Sequence, residues 1–130
     1  LDEAASYARQ REQFGKPIIS FQGVQFMLAD MAIKIEAARS LVYAVARAID
    51  GGEKRISKES AMAKVFASDT AMQVTVDAVQ ILGGYGYMKE YPVEKMMRDA
   101  KITQIYEGTN QIQRTIIASQ MVKELAGKKD

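Results

Sequence analysis

Leu28, Met31, Ile35, Ala38, Val42, Val45 and Ile49 recur at alternating spacings of three and four residues. Residues spaced this way line one face of an α-helix, and such a face is stable only against another helix. Gly51-Gly52 closes the run, as glycine does beyond a helix C-terminus. A second helical stretch starts near Ser57, a fair N-cap. It carries Met62, Val65, Phe66, Met72, Val76 and Val79 up to Gly83-Gly84. Pro92 suits the first turn of a short helix over 93–100. Thr109 can cap a last helix over 110–125. The apolar residues of that helix (Ile112, Ile116, Ile117, Met121, Val122) lie around more than one face, as expected of a helix packed from several sides. Residues Ile102 to Tyr106 alternate in strand fashion but find no partner strand. Connections are short, so the expected fold is all-α, an antiparallel four-helix bundle.

A chain of 130 residues fits one domain, and 48% hydrophobic residues suffice for a core. Eighteen basic residues face 16 acidic ones, a net charge of +2. The charges are dispersed apart from Lys128-Lys129, which argues against nucleic acid or an anionic membrane as main partner. No apolar run approaches the roughly 20 residues of a membrane span. The chain opens with Leu1-Asp2-Glu3-Ala4-Ala5, already helical in pattern, with neither Met nor signal peptide. That opening predicts a piece of a longer protein, with residues 1–130 as one helical domain and its first helix truncated.

The chain has no histidine and no cysteine. Disulfides, thiolate catalysis and cysteine–zinc sites are excluded. So are the Glu-x-x-His pairs of di-iron bundles and the Ser-His-Asp triad. No metal site is expected. What remains for acid–base chemistry near neutral pH is a carboxylate drawn out of water. Asp69 lies on the second apolar seam, and the simplest expectation is a half-buried pair with a cation such as Arg39. A functional carboxylate there is the alternative.

Three turns could carry chemistry. Arg11 to Pro17 follows the first helix, and Gly15 and Pro17 break it. Arg11 and Lys16 are either helix-end charges beside a packing aromatic, Phe14, or an anion site with Arg11 on a phosphate. The turn from Gln80 to Tyr87 is glycine-rich but follows a helix, so it is not a dinucleotide fingerprint. The negative end of a helix disfavours phosphate; an adenine or ribose would suit it better, and a plain helix stop is the other reading. Tyr106-Glu107-Gly108-Thr109 is either an exposed turn or a carboxylate with room for a ligand beside Gly108.

Taken in order, these segments resemble the C-terminal helical domain of the acyl-CoA dehydrogenases, flavoenzymes that introduce the 2,3-double bond of acyl-CoA thioesters. The resemblance rests on Arg11-Glu12-Gln13-Phe14-Gly15-Lys16-Pro17, Phe21-Gln22, Gln80-Ile81-Leu82-Gly83-Gly84-Tyr85-Gly86, Met97-Arg98-Asp99-Ala100-Lys101-Ile102 and the run from Ile105 to Arg114. It covers essentially the whole chain.

The resemblance implies FAD at a subunit interface. Arg11 would reach the pyrophosphate of a neighbour's FAD, with Gln13, Phe14, Phe21 and Gln22 along the same cofactor. Gln80, Ile81, Leu82, Gly83 and Gly84 would approach its adenosine part. Thr109, Asn110 and Gln111 would contact the subunit's own FAD, and Gly108 the thioester. Glu107 would be the base that removes the pro-R α-proton while the β-hydrogen leaves as hydride to the flavin. Glu at this position implies a short- or medium-chain, butyryl-CoA dehydrogenase-like type. One branch, including isovaleryl-CoA dehydrogenase, places its base on an earlier helix, whereas some relatives acting on branched or dicarboxylic acyl-CoA keep Glu here. The resemblance further implies homo-oligomers (a dimer of dimers), electron-transfer flavoprotein as acceptor, and a bacterial cytoplasm or mitochondrial matrix. The N-terminal helical domain and β-domain would be missing, leaving an inactive fragment. The alternatives are a non-catalytic helical oligomerisation module and an acyl-CoA oxidase.

Overall fold

A computed structural model of the chain describes residues 1–127; the Lys128-Lys129 pair lies outside the described residues. Helix α1 (Asp2–Gln10) leads into a two-stranded hairpin, β1 (Glu12–Gln13) and β2 (Lys16–Pro17), and one 3-10 turn (Ile18–Ser20). The long helices α2 (Gln22–Asp50) and α3 (Ser57–Leu82) follow. The one-turn α4 (Gly84–Tyr87) and then α5 (Val93–Thr103) and α6 (Asn110–Ala126) complete the fold. The all-α expectation holds, with α2, α3, α5 and α6 as main helices joined by short turns.

Helix α3 is the centre: α1, α2, α4, α5 and α6 all pack on it. Its buried positions are Ala61, Ala63, Ser68, Thr70, Val74, Ala78, Ile81 and Leu82. The large residues singled out by spacing are less covered, and Phe66 and Val76 are exposed. The reason is geometric. A helix surrounded on several sides has neighbours close to its axis, and small side chains permit that approach. The several-sided helix is therefore α3, not α6. On α6 only Asn110 is buried, while Ile112, Met121, Val122 and Leu125 are exposed in the single chain.

On α2 the seam resolves into Met31, Ala38 and Val45, seven apart and buried, flanked by half-buried Leu28 and Ile35. Val42 and Ile49 face outward with Phe26, Ile33 and Tyr43. The main core joins Met31 to Ala4 and Ala8 of α1, to Val74, Ala78, Ile81 and Leu82 of α3, and to Val93 of α5.

Several local expectations change. Ser57 is the first helical residue rather than the cap, because Ile56 holds the cap position. Pro92 likewise precedes the first turn of α5. The alternating segment from Ile102 is no strand: α5 runs through Thr103, and the Ile105 and Tyr106 N–H groups donate back to the Ile102 carbonyl at 2.9 and 3.0 Å. Strands of two residues each, as at 12–13 and 16–17, are too short to leave a periodic signal.

Met31 is fully buried at the meeting point of four helices. Met31→Ala should cost about 2–5 kcal/mol of stability. Urea unfolding of the chain followed by circular dichroism checks this; an unchanged midpoint would place the core elsewhere.

Candidate functional site

Between α5 and α6 the chain makes a strained turn. Among the described residues only Phe14 and Glu107 are non-glycines with positive φ, at 54° and 53°. Holding a residue there costs of the order of 1–3 kcal/mol, and such residues concentrate at functional sites. Gly108 follows at φ 86°, a conformation that favours glycine, and a Cβ there would also displace the Gln113 amide, 2.8 Å away. The turn is fixed from behind. Gln113 Nε2 donates to the Glu107 carbonyl at 2.9 Å, and Lys64 Nζ donates to the Gly108 carbonyl at 2.9 Å. Thr109 caps α6 as expected, its hydroxyl oxygen accepting from the Ile112 N–H at 3.3 Å.

Among the described residues the N–H groups of Glu107, Gly108 and Thr109 donate to no protein acceptor. The Glu107 carboxylate makes no hydrogen bond or ion pair there either. It borders a largely apolar hollow of about 430 Å³ whose wall includes Ala67, Ala71, Thr103 and Tyr106, with Lys64 at its edge.

Beneath the turn lies a polar cluster. Asn110 is 3% exposed. Its carbonyl oxygen accepts from Lys64 Nζ at 2.7 Å, and its amide nitrogen donates to Ser68 Oγ and Asp69 Oδ1, each at 2.8 Å. Cation on one side and carboxylate on the other fix the amide's orientation. The Ser68 hydroxyl donates to the Lys64 carbonyl at 2.7 Å. Asp69 also accepts from Gln104 Nε2 at 2.6 Å and pairs with Arg114 at 2.7 Å. The expected partner Arg39 instead pairs with Glu36 one turn away on α2. Asn110 keeps its side chain engaged inside the domain while lining a hollow with Thr109 and Gln111.

A second site forms where the hairpin meets the end of α3. Arg11, Gln13, Ile81, Leu82, Gly83 and Gly84 line one cleft of about 580 Å³ with Tyr7 and Tyr85. Two segments far apart in sequence thus share a surface. The Arg11 guanidinium lies 5.9 Å from the centre of the Tyr85 ring. Gly83 turns the chain at φ 61°, and a Cβ on Gly83 or Gly84 would meet nothing within 4 Å, so both present open backbone.

Phe14 and Gly15 form the two-residue hairpin turn, both with positive φ, the geometry of a type I′ turn. Phe14 is 91% exposed and meets Phe21 in a T-shaped arrangement, 6.1 Å between ring centres, so it is no core aromatic. Gln22 and Gln80 are exposed. Thr109, Asn110 and Gln111 border a third, smaller hollow with Lys101, Gln104 and Arg114. The reading by sequence thus gathers into separate places: the Arg11 cleft, the Glu107 hollow and the Gln111 side of the polar cluster. Sequence reasoning missed Lys64, Ser68 and Gln104; the polar pair at 64 and 68, one turn apart and next to Asp69 on α3, was the available signal.

Comparison with known proteins identifies the class. The family described as acyl-CoA dehydrogenase, C-terminal domain, matches residues 1–122. An acyl-CoA dehydrogenase of Bacillus subtilis is 58% identical over 122 residues, 94% of this chain and 32% of that protein. Cyclohexane-1-carbonyl-CoA dehydrogenase of Geobacter metallireducens is 54% identical over 126 residues, 97% of this chain and 33% of that protein. The solved structure of butyryl-CoA dehydrogenase from Megasphaera elsdenii superposes with a TM-score of 0.90 at 53% identity, covering 93% of this chain and 31% of that one. The chain belongs to the acyl-CoA dehydrogenase family, within its C-terminal helical domain. It spans about a third of the length of the curated relatives it matches.

Among the described residues no helix is long and apolar enough to cross a membrane, and no group of acidic side chains could hold a metal ion.

Asp69 gives the site a pH signature. Partial burial pushes its carboxyl up, but hydrogen bonds from Gln104, Arg114 and Asn110, with the Arg114 charge, outweigh this and hold it below the ordinary 3.8. A depressed acid stabilises the fold fully above its unfolded value and loses that contribution as pH falls through the folded value. Thermal midpoints of the wild type should therefore drop in the acid range below about pH 4, and Asp69→Asn should flatten that part of the profile.

Proposed function

We propose that this chain is the C-terminal third of a flavin-dependent acyl-CoA dehydrogenase in which Glu107 removes the α-proton of the thioester. The reading rests on one observation above the others. Glu107 is held in a strained conformation, its carboxylate unengaged and beside an apolar hollow, while the backbone behind it is tied down. A turn with only a structural task would more simply carry glycine or asparagine there.

An acyl chain in that hollow would exclude water from the carboxylate. A desolvated carboxylate favours its neutral form, so it becomes a stronger base, which a weakly acidic α-carbon requires. Gly108 lets the thioester approach without a side chain in the way. Uncommitted N–H groups at 107–109 are suited to donate to a thioester oxygen as negative charge develops on it.

The Arg11 cleft fits a dinucleotide. It offers a guanidinium for a diphosphate, open glycine backbone, and an aromatic ring beside the cation. Arg11, Gln13 and the 80–84 turn would hold FAD of a neighbouring subunit, with Phe14, Phe21 and Gln22 along it. Thr109, Asn110 and Gln111, which line a separate hollow, would meet the subunit's own FAD. Bound flavin supplies the hydride acceptor. The exposed apolar residues Phe26, Ile33 and Tyr43 of α2 and Val122 and Leu125 of α6 offer surface to the rest of the protein and to a second subunit, and a homo-oligomer is the reading that gives Arg11 a neighbour's FAD to hold. Electron-transfer flavoprotein is the proposed acceptor and a bacterial cytoplasm the proposed compartment.

Glu107→Gln in the full-length protein tests the assignment. Butyryl-CoA oxidation should fall by at least about 100-fold with FAD still bound, since general-base catalysis contributes roughly that much or more. Near-normal turnover would refute it. Light scattering of the active protein should show an oligomer, and a strictly monomeric active form would remove the role of Arg11 toward a neighbour.

A further inference from the structure

The base sits on a backbone that has little reason to stay still. Gly108 is free of side-chain restraint, and Glu107 occupies a minor conformational well. Two side chains from different helices catch the two successive carbonyls of this turn. Gln113 of α6 holds the carbonyl of Glu107, and Lys64 of α3 holds that of Gly108. Because each peptide unit is planar and trans, fixing a carbonyl also fixes the direction of the N–H on its other side. The Gly108 and Thr109 N–H groups are thereby turned away from Gln113 and Lys64.

Lys64 is itself held. Its ammonium donates to Asn110 Oδ1 as well as to Gly108, residues 46 and 44 positions away in sequence, and it forms no ion pair among the described residues. A solvated helix lysine would reach outward to water or to an acid one turn along. This cation instead bridges two neutral oxygens at the rim of the Glu107 hollow.

We propose that Lys64 and Gln113 are positioning residues that fix the Glu107–Gly108 backbone, and with it the direction of the base, in the reaction. The proposal rests on the reading of Glu107 as base. A displacement of about 1 Å at a reacting group can lower a rate by about 100-fold. Loss of either pin should therefore slow proton abstraction without loosening cofactor or substrate.

Lys64→Met, Lys64→Arg, Gln113→Leu and Glu107→Gln in the full-length holoenzyme provide the test, with butyryl-CoA as probe. The readouts are FAD content, KM, the rate of flavin reduction, and deuterium exchange at the α-carbon. Lys64→Met and Gln113→Leu should each slow reduction and exchange by about 10- to 100-fold at unchanged KM and FAD content. Lys64→Arg should recover most of the loss, and peptides covering 104–110 should exchange amide hydrogens faster in Lys64→Met. Gln113 is half-buried and its side chain hydrogen-bonds to the Glu107 carbonyl rather than into the Asn110 cluster, so its variant keeps the test intact if Lys64→Met fails to fold. Wild-type exchange rates in both variants, or losses that track FAD content alone, would overturn the positioning role while Glu107→Gln remains inactive. If Glu107→Gln retains exchange, the base assignment itself has failed, whatever the other variants do.

Discussion

Close packing onto α3 is the constraint on which the domain depends. All the other helices bury their apolar face against this one, and its contact positions are dominated by small side chains. Small residues bring neighbouring axes near, so one helix can serve several partners at native density. The arrangement also explains why the outer surfaces of α2 and α6 remain apolar: those helices already spend one face on α3, and their second faces are uncovered in the single chain.

The same helix supplies the polar anchor of the turn before α6. Lys64, Ser68 and Asp69 all project from α3 toward Asn110, the one buried residue of α6. A buried carboxamide with unsatisfied groups would be costly, and here its carbonyl and amide each meet a partner of matching polarity. Docking of α6 and the geometry of the Glu107 turn are therefore one event. The strain at Glu107 is offset by contacts formed several ångströms away.

Helix placement was legible in the sequence because glycine, proline and threonine punctuate it. Gly51-Gly52, Gly83-Gly84 and Thr109 all mark ends that the structure keeps. The faces were read less well. Spacing of large residues pointed to Met62, Phe66 and Val76, whereas burial falls on Ala61, Ser68 and Ala78, because hydrophobic pattern weights size and a central helix needs smallness. At the site, the convergence of Arg11 with the 81–84 turn was foreshadowed by the resemblance and not by local pattern, since sequence order carries no distance between them. Asp69 drew attention as a misplaced charge, but its partner came from α6 rather than α2. A partner 45 positions away is set by tertiary packing, which periodicity does not encode.

The Glu107 carboxylate has one further property. It takes part in none of the contacts that shape its own turn; these run through the backbone carbonyls and through residues on other helices. Replacing it removes no internal bond and opens no cavity, and a residue better suited to left-handed backbone would even relax the turn. The scaffold is thus indifferent to the side chain that position 107 carries. Substitution at this one position therefore meets little selective resistance from folding, and selection there acts on what the side chain does rather than on what it supports.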